Sequence, residues 1–248
     1  MKIEVLGVGN LFTPQMTNTS FLLSPFDYAE QKILIDCGYN VFQKLISGEY
    51  DIKNIRTVII THTHPDHVGS LGALIYYRWF VFNKKTTIIC GNKVGEYLKR
   101  YLEATVFNVP EPESIKLDEC TKCPYELVFN DIPKTLLTMF EVQHDNIPAY
   151  GVYLHKERVI FTGDTDLLNP ESPMITGAKM IFHDCIIDHY ARGIHSNIGD
   201  MKRYYPKILR EKIKLVHHGK VMSSEVLLNN HMVLCHENST YTIKKEDP

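Results

Sequence analysis

Short apolar runs bounded by glycine and polar residues recur along the chain, at residues 3–6, 18–23, 32–38, 57–60 and 86–91. Runs of this length, rich in Val, Ile and Leu and closed by turn residues, read as buried strands. The spacing changes at 41–46, where Val41, Phe42 and Leu45 share one helical face, and again at 71–82 and 93–104. The helix at 71–82 is apolar nearly all round and carries Tyr76, Tyr77 and Trp79, a stripe suited to the core or to a subunit interface. Strand patterns resume at 138–144, 150–154, 158–161, 180–185 and 214–219, and the tail 220–248 reads as one or two more. Asn197 or Ser196 caps a helix after 192–197. The stretch 105–130 has the weakest pattern, because Pro110, Pro112 and Pro124 interrupt it.

No linker, repeat or low-complexity tract divides the sequence. The expectation is a single domain over 1–248 of the α/β class, with two mixed β-sheets packed face to face and helices outside, an αββα sandwich. The length, 248 residues, allows a sizeable core.

Charge and cysteine usage narrow the function classes. The formal net charge of −2 lacks the basic footprint of a nucleic-acid binder, though a local basic patch stays open. Residues 1–6 read as a strand and not as the start of a secretory leader, and no apolar run approaches membrane-spanning length. A cytoplasmic protein with reduced cysteines is expected. Cys37, Cys90, Cys185 and Cys235 sit in apolar surroundings as small core residues. Cys120 and Cys123 form a single CxxC, half of a zinc site, and read as a surface loop or strand edge. In a dimer that segment is a candidate to reach the neighbouring active site.

The strongest chemistry follows the apolar run 57–60. Thr61-His62-Thr63-His64-Pro65-Asp66-His67 places three histidines and an aspartate on a strand-to-helix turn. His62 and His64 are two apart in extended chain, so their side chains point the same way. Asp66 and His67 come as the chain turns, and aim at a neighbouring point. Imidazole and carboxylate suit first-row metals, and the absence of thiolate disfavours a structural site. The geometry suggests two metal ions side by side, one per pair. Gly7-Val8-Gly9 lacks the third glycine and following helix of a dinucleotide loop, and reads as a tight turn near the rim of the site. Asp36, at the end of the strand 32–38, reads from its position as a strand-end turn residue.

HxHxDH resembles the signature of the metallo-β-lactamase fold superfamily, and the resemblance covers nearly the whole chain. Within it the sequence is similar to the ribonuclease Z-like phosphodiesterase branch, and there to the anti-Pycsar phosphodiesterases that hydrolyse cyclic nucleotides. The resemblance, to which Ile35-Asp36-Cys37-Gly38 adds, implies Asp36 as a carboxylate that orients the ligands by hydrogen bonds, His144 as a further ligand and Asp164, in Gly163-Asp164-Thr165, as the bridge. The last ligand is implied at His217, with His218 one residue away as the open alternative. Site one is then His62, His64 and His144, and site two Asp66, His67 and His217, holding two divalent ions, zinc foremost. The implied catalytic set is Asp66, His195 and Asp184, with His195 the general acid oriented by Asp184. Here the chain departs from the branch, with Asp for Glu in His183-Asp184-Cys185 and Asn for Thr in His195-Ser196-Asn197. His183, His189, His231 and His236 are left as structural or surface residues.

The implied activity is hydrolysis of 3′,5′-cyclic nucleotides, cyclic CMP and UMP as well as cyclic AMP and GMP, to 5′-monophosphates. The implied setting is a homodimer that disarms host Pycsar-type immune signalling, in the host cytoplasm if phage-encoded. Two other readings stand beside it: a transfer RNA 3′-processing endonuclease, disfavoured by the missing basic arm, and a metal-free binding protein on the same scaffold.

Overall fold

The structure, a computed structural model, describes residues 1–25, 31–106, 137–186, 194–219 and 230–244, with the backbone of 125–129. Cys120, Cys123 and His189 lie outside the described residues.

The N-terminal half builds the first sheet. Its strands are β1 (Lys2–Gly7), β2 (Ser20–Ser24), β3 (Lys32–Ile35), β4 (Ile55–Ile60), β5 (Thr86–Cys90) and β6 (Tyr125–Phe129). The second sheet takes β7 (Leu137–Val142), β8 (Ala149–Leu154), β9 (Val159–Phe161), β10 (Met180–Asp184), β11 (Ile213–Val216) and β12 (Val233–Leu234). The last strand, β13 (Thr240–Thr242), returns to pair antiparallel with β1. Among the described residues the orders are β13-β1-β2-β3-β4-β5-β6 and β12-β11-β10-β9-β8-β7. Both sheets mix parallel and antiparallel pairs, as expected.

The two sheets meet through aromatic packing. Phe21 of β2 lies 4.7 Å from Phe161 of β9 and 4.9 Å from Phe182 of β10, ring centre to ring centre. Alternation along the second sheet sorts its two faces. Phe161, Phe182 and Val216 join the inter-sheet core, whereas Ile160, Ile181 and Leu215 pack with Met201, Tyr205 and Leu209 on the outside. After the short α5 (Pro173–Gly177), those outer residues come from α6 (Ile198–Tyr204), α7 (Lys207–Arg210) and their junction. On the first sheet the cover is α1 (Val41–Ser47), α3 (Leu71–Phe82) and α4 (Asn92–Thr105). No helix among the described residues is long and apolar enough to cross a membrane.

The helix expected at 71–82 is α3, with the same bounds. A four-residue turn, α2 (Pro65–Val68), precedes α3, because Pro65 suits a first helical turn and Gly69-Ser70 interrupts the run. Helix α3 stops at Asn83, which takes the left-handed conformation (φ 51°) and returns its N–H to Trp79. The stripe on α3 divides: Leu71, Leu74, Ile75 and Trp79 are buried, whereas Phe80 and Val81 face water.

Arg78, in the middle of that stripe, is 2% exposed and gave no signal in the apolar pattern. Its guanidinium donates to the carbonyls of Ile52, Lys53 and Lys85 and to Thr86 Oγ1, at 2.8–3.0 Å. It thereby ties α3 to the starts of β4 and β5. Arg78→Met keeps the apolar stem and strands two buried and two part-buried acceptors, each buried one costing about 1–3 kcal/mol. We expect a loss of about 3 kcal/mol or more, read as a lowered urea midpoint with an unchanged slope.

Candidate metal centre

Strand direction assembles the site. β3 and β4 run parallel, as do β9, β10 and β11, while β7 shares their direction through two antiparallel steps across β8. Their C-terminal ends therefore open on the same edge of the sandwich, where α/β sheets place ligands. β4 delivers His62, His64, Asp66 and His67. His144 follows β7, Asp164 follows β9, Asp184 ends β10, and His217 follows β11.

Two donor sets converge there. The first is His62, His64, His144 and Asp164; the second is Asp66, His67, His217 and Asp164. In the first, His64 Nδ1 lies 3.2 Å from both His62 Nε2 and His144 Nε2. Zn–N bonds of about 2.0–2.1 Å in a tetrahedron place nitrogens about 3.3 Å apart, so the triangle has the size of a metal's donor face. Asp164 Oδ2 stands 3.6 Å from His62 Nε2. In the second set, His67 Nε2 is 3.2 Å from Asp164 Oδ1, and His217 Nε2 is 3.2 Å from Asp66 Oδ2 and 3.3 Å from Asp164 Oδ2. His67 Nε2 is buried with no hydrogen-bond partner. A buried, unpartnered nitrogen among carboxylates fits a divalent cation. Asp164 belongs to both sets.

The far side of most of these rings is also held. His62 Nδ1 meets Thr61 Oγ1 at 3.1 Å, His67 Nδ1 meets Asp36 Oδ2 at 2.8 Å, and His144 Nδ1 donates to the Ile194 carbonyl at 3.0 Å. Each contact fixes a ring's orientation and leaves the opposite nitrogen for the centre. Asp36 is no simple turn residue. Its carboxylate takes the Thr61 N–H at 2.9 Å and the Thr61 hydroxyl at 2.7 Å while it holds His67. It does so from the left-handed region (φ 57°), a conformation that costs energy for a residue with a Cβ. Asp36→Asn is expected to weaken metal affinity about 10–100-fold with the fold kept, measured by competition with a chelating dye.

His217 and His218 separate cleanly. His217 leaves β11 with φ 62°, which turns its ring into the cluster. His218 points away, its Nε2 donating to the Cys235 carbonyl at 3.0 Å.

Asp184 and His195 meet, with His195 Nδ1 2.7 Å from Asp184 Oδ2, so aspartate spans the distance despite its shorter chain. The Thr165 N–H donates to the same oxygen at 2.9 Å. Asp184 Oδ1 also stands 3.2 Å from His217 Nδ1, a second contact that sequence comparison gave no sign of. The rings of His195 and His217 stack, centres 5.1 Å apart. His183 instead turns outward to the Tyr205 hydroxyl at 2.9 Å. Asn197 caps α6, its side chain accepting the Asp200 N–H.

Without metal, the charges are uneven. Burial opposes protonation of His217, yet Asp164, Asp184 and Asp66 outweigh it and carry its pKa up to about 10. His67 is likewise raised well above the usual value against burial, by Asp164, Asp66 and Asp36. Burial drives His62 well down. Metal requires the neutral rings, so at neutral pH it must displace protons from His67 and His217. Metal affinity should therefore rise with pH until both rings are neutral in the empty site. Calorimetry at pH 7 in buffers of different ionisation enthalpy should show net proton release; none would mean these rings are neutral before binding.

The buried thiols take no part. Burial pushes Cys37 and Cys90 up to about 12, so neither is a thiolate at neutral pH.

Comparison with known proteins gives the family and the fold. A profile of the family described as Anti-Pycsar protein Apyc1 matches residues 1–241. The anti-Pycsar protein Apyc1 of Bacillus phage BSP38 is 24% identical over 258 aligned positions, covering 98% of each chain. Among solved structures, the metallo-β-lactamase fold protein YhfI of Bacillus subtilis superposes with a TM-score of 0.73 at 16% identity, over 97% of this chain and 98% of that one. Human tRNase Z, short form, superposes with a TM-score of 0.68 at 17% identity, over 98% and 100%. At such identities the superpositions bear on fold alone, and the fold is the expected metallo-β-lactamase sandwich.

Proposed function

The chain belongs to the anti-Pycsar Apyc1 family and is a metal-dependent phosphodiesterase, and from that premise we propose that it opens 3′,5′-cyclic nucleotides to 5′-monophosphates. The observation that carries the reading is the pair of donor sets joined at Asp164, with His195 held by Asp184 beside them.

When bound, two divalent cations, zinc in our reading, supply Lewis acidity toward the phosphate and lower the pKa of water toward neutrality. His62, His64, His144 and Asp164 would hold one, and Asp66, His67, His217 and Asp164 the other. The chain does the rest. The imidazoles and carboxylates are pre-set by Asp36, Thr61 and Asp184, so little reorganisation accompanies the reaction. As water adds to phosphorus, the P–O3′ bond breaks and O3′ needs a proton. His195 delivers it from Nε2. Burial works against its protonation, but the adjoining Asp184 carboxylate prevails and raises the pKa, which favours the charged acid.

A ring-closed monophosphate needs only a small pocket, in keeping with the net charge of −2. We read the substrate range as cyclic CMP and UMP together with cyclic AMP and GMP, the working form as a homodimer, and the biological effect as removal of a host's cyclic-nucleotide immune signal. The test is turnover of metal-replete protein, with and without chelator, on those four nucleotides beside a precursor transfer RNA. Chelator-sensitive formation of 5′-monophosphates with the RNA intact supports the reading. RNA cleavage with inert cyclic nucleotides overturns it.

A further inference from the structure

The metal centre accounts for the phosphate of a cyclic nucleotide and leaves its base without a seat. Two loops at the same edge of the sandwich bear on that. The connection between β1 and β2 closes on itself. Asn10 N–H donates to Thr13 Oγ1 at 2.8 Å, the Thr13 hydroxyl donates back to the Asn10 carbonyl at 3.0 Å, and Phe12 N–H donates to Asn10 Oδ1 at 2.9 Å. The same connection is tied to the loop after β3. Asn40 Nδ2 donates to the Met16 carbonyl, and Asn18 N–H donates to Asn40 Oδ1, both at 2.8 Å.

These joined loops rest on the turns that carry site-two donors. A Cβ on Gly38 would lie 2.0 Å from the Asp66 carbonyl oxygen and 2.7 Å from Asn18 Cβ. A Cβ on Gly219, two residues after His217, would lie 3.0 Å from Asn10 Nδ2 and 3.1 Å from Thr13 Cγ2. At Gly38 the approach is too close for anything but glycine, and at Gly219 it is tight, so the loop packs against both the Asp66 and His217 segments.

On this fixed frame Phe12 is 85% exposed, the most exposed large apolar side chain among the described residues. Closure of the loop uses its backbone N–H and nothing of its ring. Tyr39, beside Gly38 on the partner loop, is 40% exposed. We propose that Phe12 is the stacking surface for the nucleobase of the substrate, a proposal that rests on the cyclic-nucleotide reading above. The occupant is the base because the frame is continuous with the turns that would hold its phosphate. A benzene ring stacks on the π-face that every base offers, without choosing among hydrogen-bonding edges. Acceptance of purines and pyrimidines alike follows from that chemistry.

The experiment is steady-state kinetics of the metal-loaded Phe12→Ala chain on cyclic AMP, cyclic CMP and the baseless 1-deoxyribose 3′,5′-cyclic phosphate. Loss of one base–aromatic stack should raise KM about 5- to 150-fold for both nucleotides. kcat should stay within about twofold, and KM for the baseless ester should not change. Phe12→Trp should keep the wild-type KM, and its indole fluorescence should be quenched by cyclic GMP and not by the baseless ester. Trp79, the chain's single tryptophan, is buried and adds a constant background. An unchanged nucleotide KM in Phe12→Ala, or an equal rise with the baseless ester, overturns the proposal. So does a change of sedimentation with unchanged KM, which would assign Phe12 to contact between copies. Wild-type protein that cleaves the baseless ester and no cyclic nucleotide overturns the substrate reading itself.

Discussion

Asp164→Ala is expected to abolish both metal binding and activity. The Asp164 carboxylate is shared by every group of metal-type donors among the described residues. Its Oδ1 stands 3.2 Å from His67 Nε2, and its Oδ2 stands 3.3 Å from His217 Nε2, 3.6 Å from His62 Nε2 and 3.9 Å from His144 Nε2. Removing it takes one donor from each set at once, where loss of His64 would take one from a single set. Gly163, at φ 62°, turns the chain to present it, and the Tyr150 carbonyl and Thr61 leave no room there for a side chain. The loss of several kcal/mol of electrostatic stabilisation corresponds to at least about 10³-fold in turnover. Elemental analysis after gel filtration should find fewer than one ion per chain at concentrations that saturate the wild type. Two retained ions would mean that Asp164 is a bystander to metal binding.

His195→Ala should separate metal binding from turnover. The ring is hydrogen-bonded through Nδ1 to Asp184 and stacked on His217, with its side chain 11% exposed. In the proposed reaction its Nε2 would serve the leaving oxygen. Loss of a positioned general acid costs about 10²–10⁴-fold. The loss should fall on cyclic nucleotides, whose leaving alkoxide needs a proton, and spare a p-nitrophenyl phosphodiester, whose leaving group does not. In the wild type, activity should fall as pH rises through the raised pKa of His195, because the acid must be protonated. Metal content should stay at the wild-type value. Its loss would make His195 a ligand, as its grouping with Asp164, Asp184 and His217 permits.

The site was more legible in the sequence than were its supports. HxHxDH shows because neighbours in sequence aim together, and the apolar runs show where its strands lie. His144, Asp164 and His217 are far apart in sequence, and only the shared direction of their strands brings their ends together. Whether His217 or His218 faces inward turned on one backbone torsion at the end of β11, which no residue type announces. The dual reach of Asp184, to His195 and to His217, is likewise a fact of packing. Arg78 was hidden because a lone cation in an apolar helix looks like an exposed break, while its four acceptors come from segments distant in sequence or at the helix end. β6 was obscured by the prolines before it, and its existence rests on pairing with β5.

The central claim is that two metal ions, held by donor sets that share Asp164, open a cyclic phosphodiester. It is met most directly by titrating metal-free protein with zinc while following bound metal and hydrolysis of cyclic CMP together. The account predicts two ions bound per chain, with activity that develops as the second site fills and disappears when chelator empties both. Full turnover by the metal-free protein, or none at any zinc, manganese or magnesium loading that fills both sites, would contradict it.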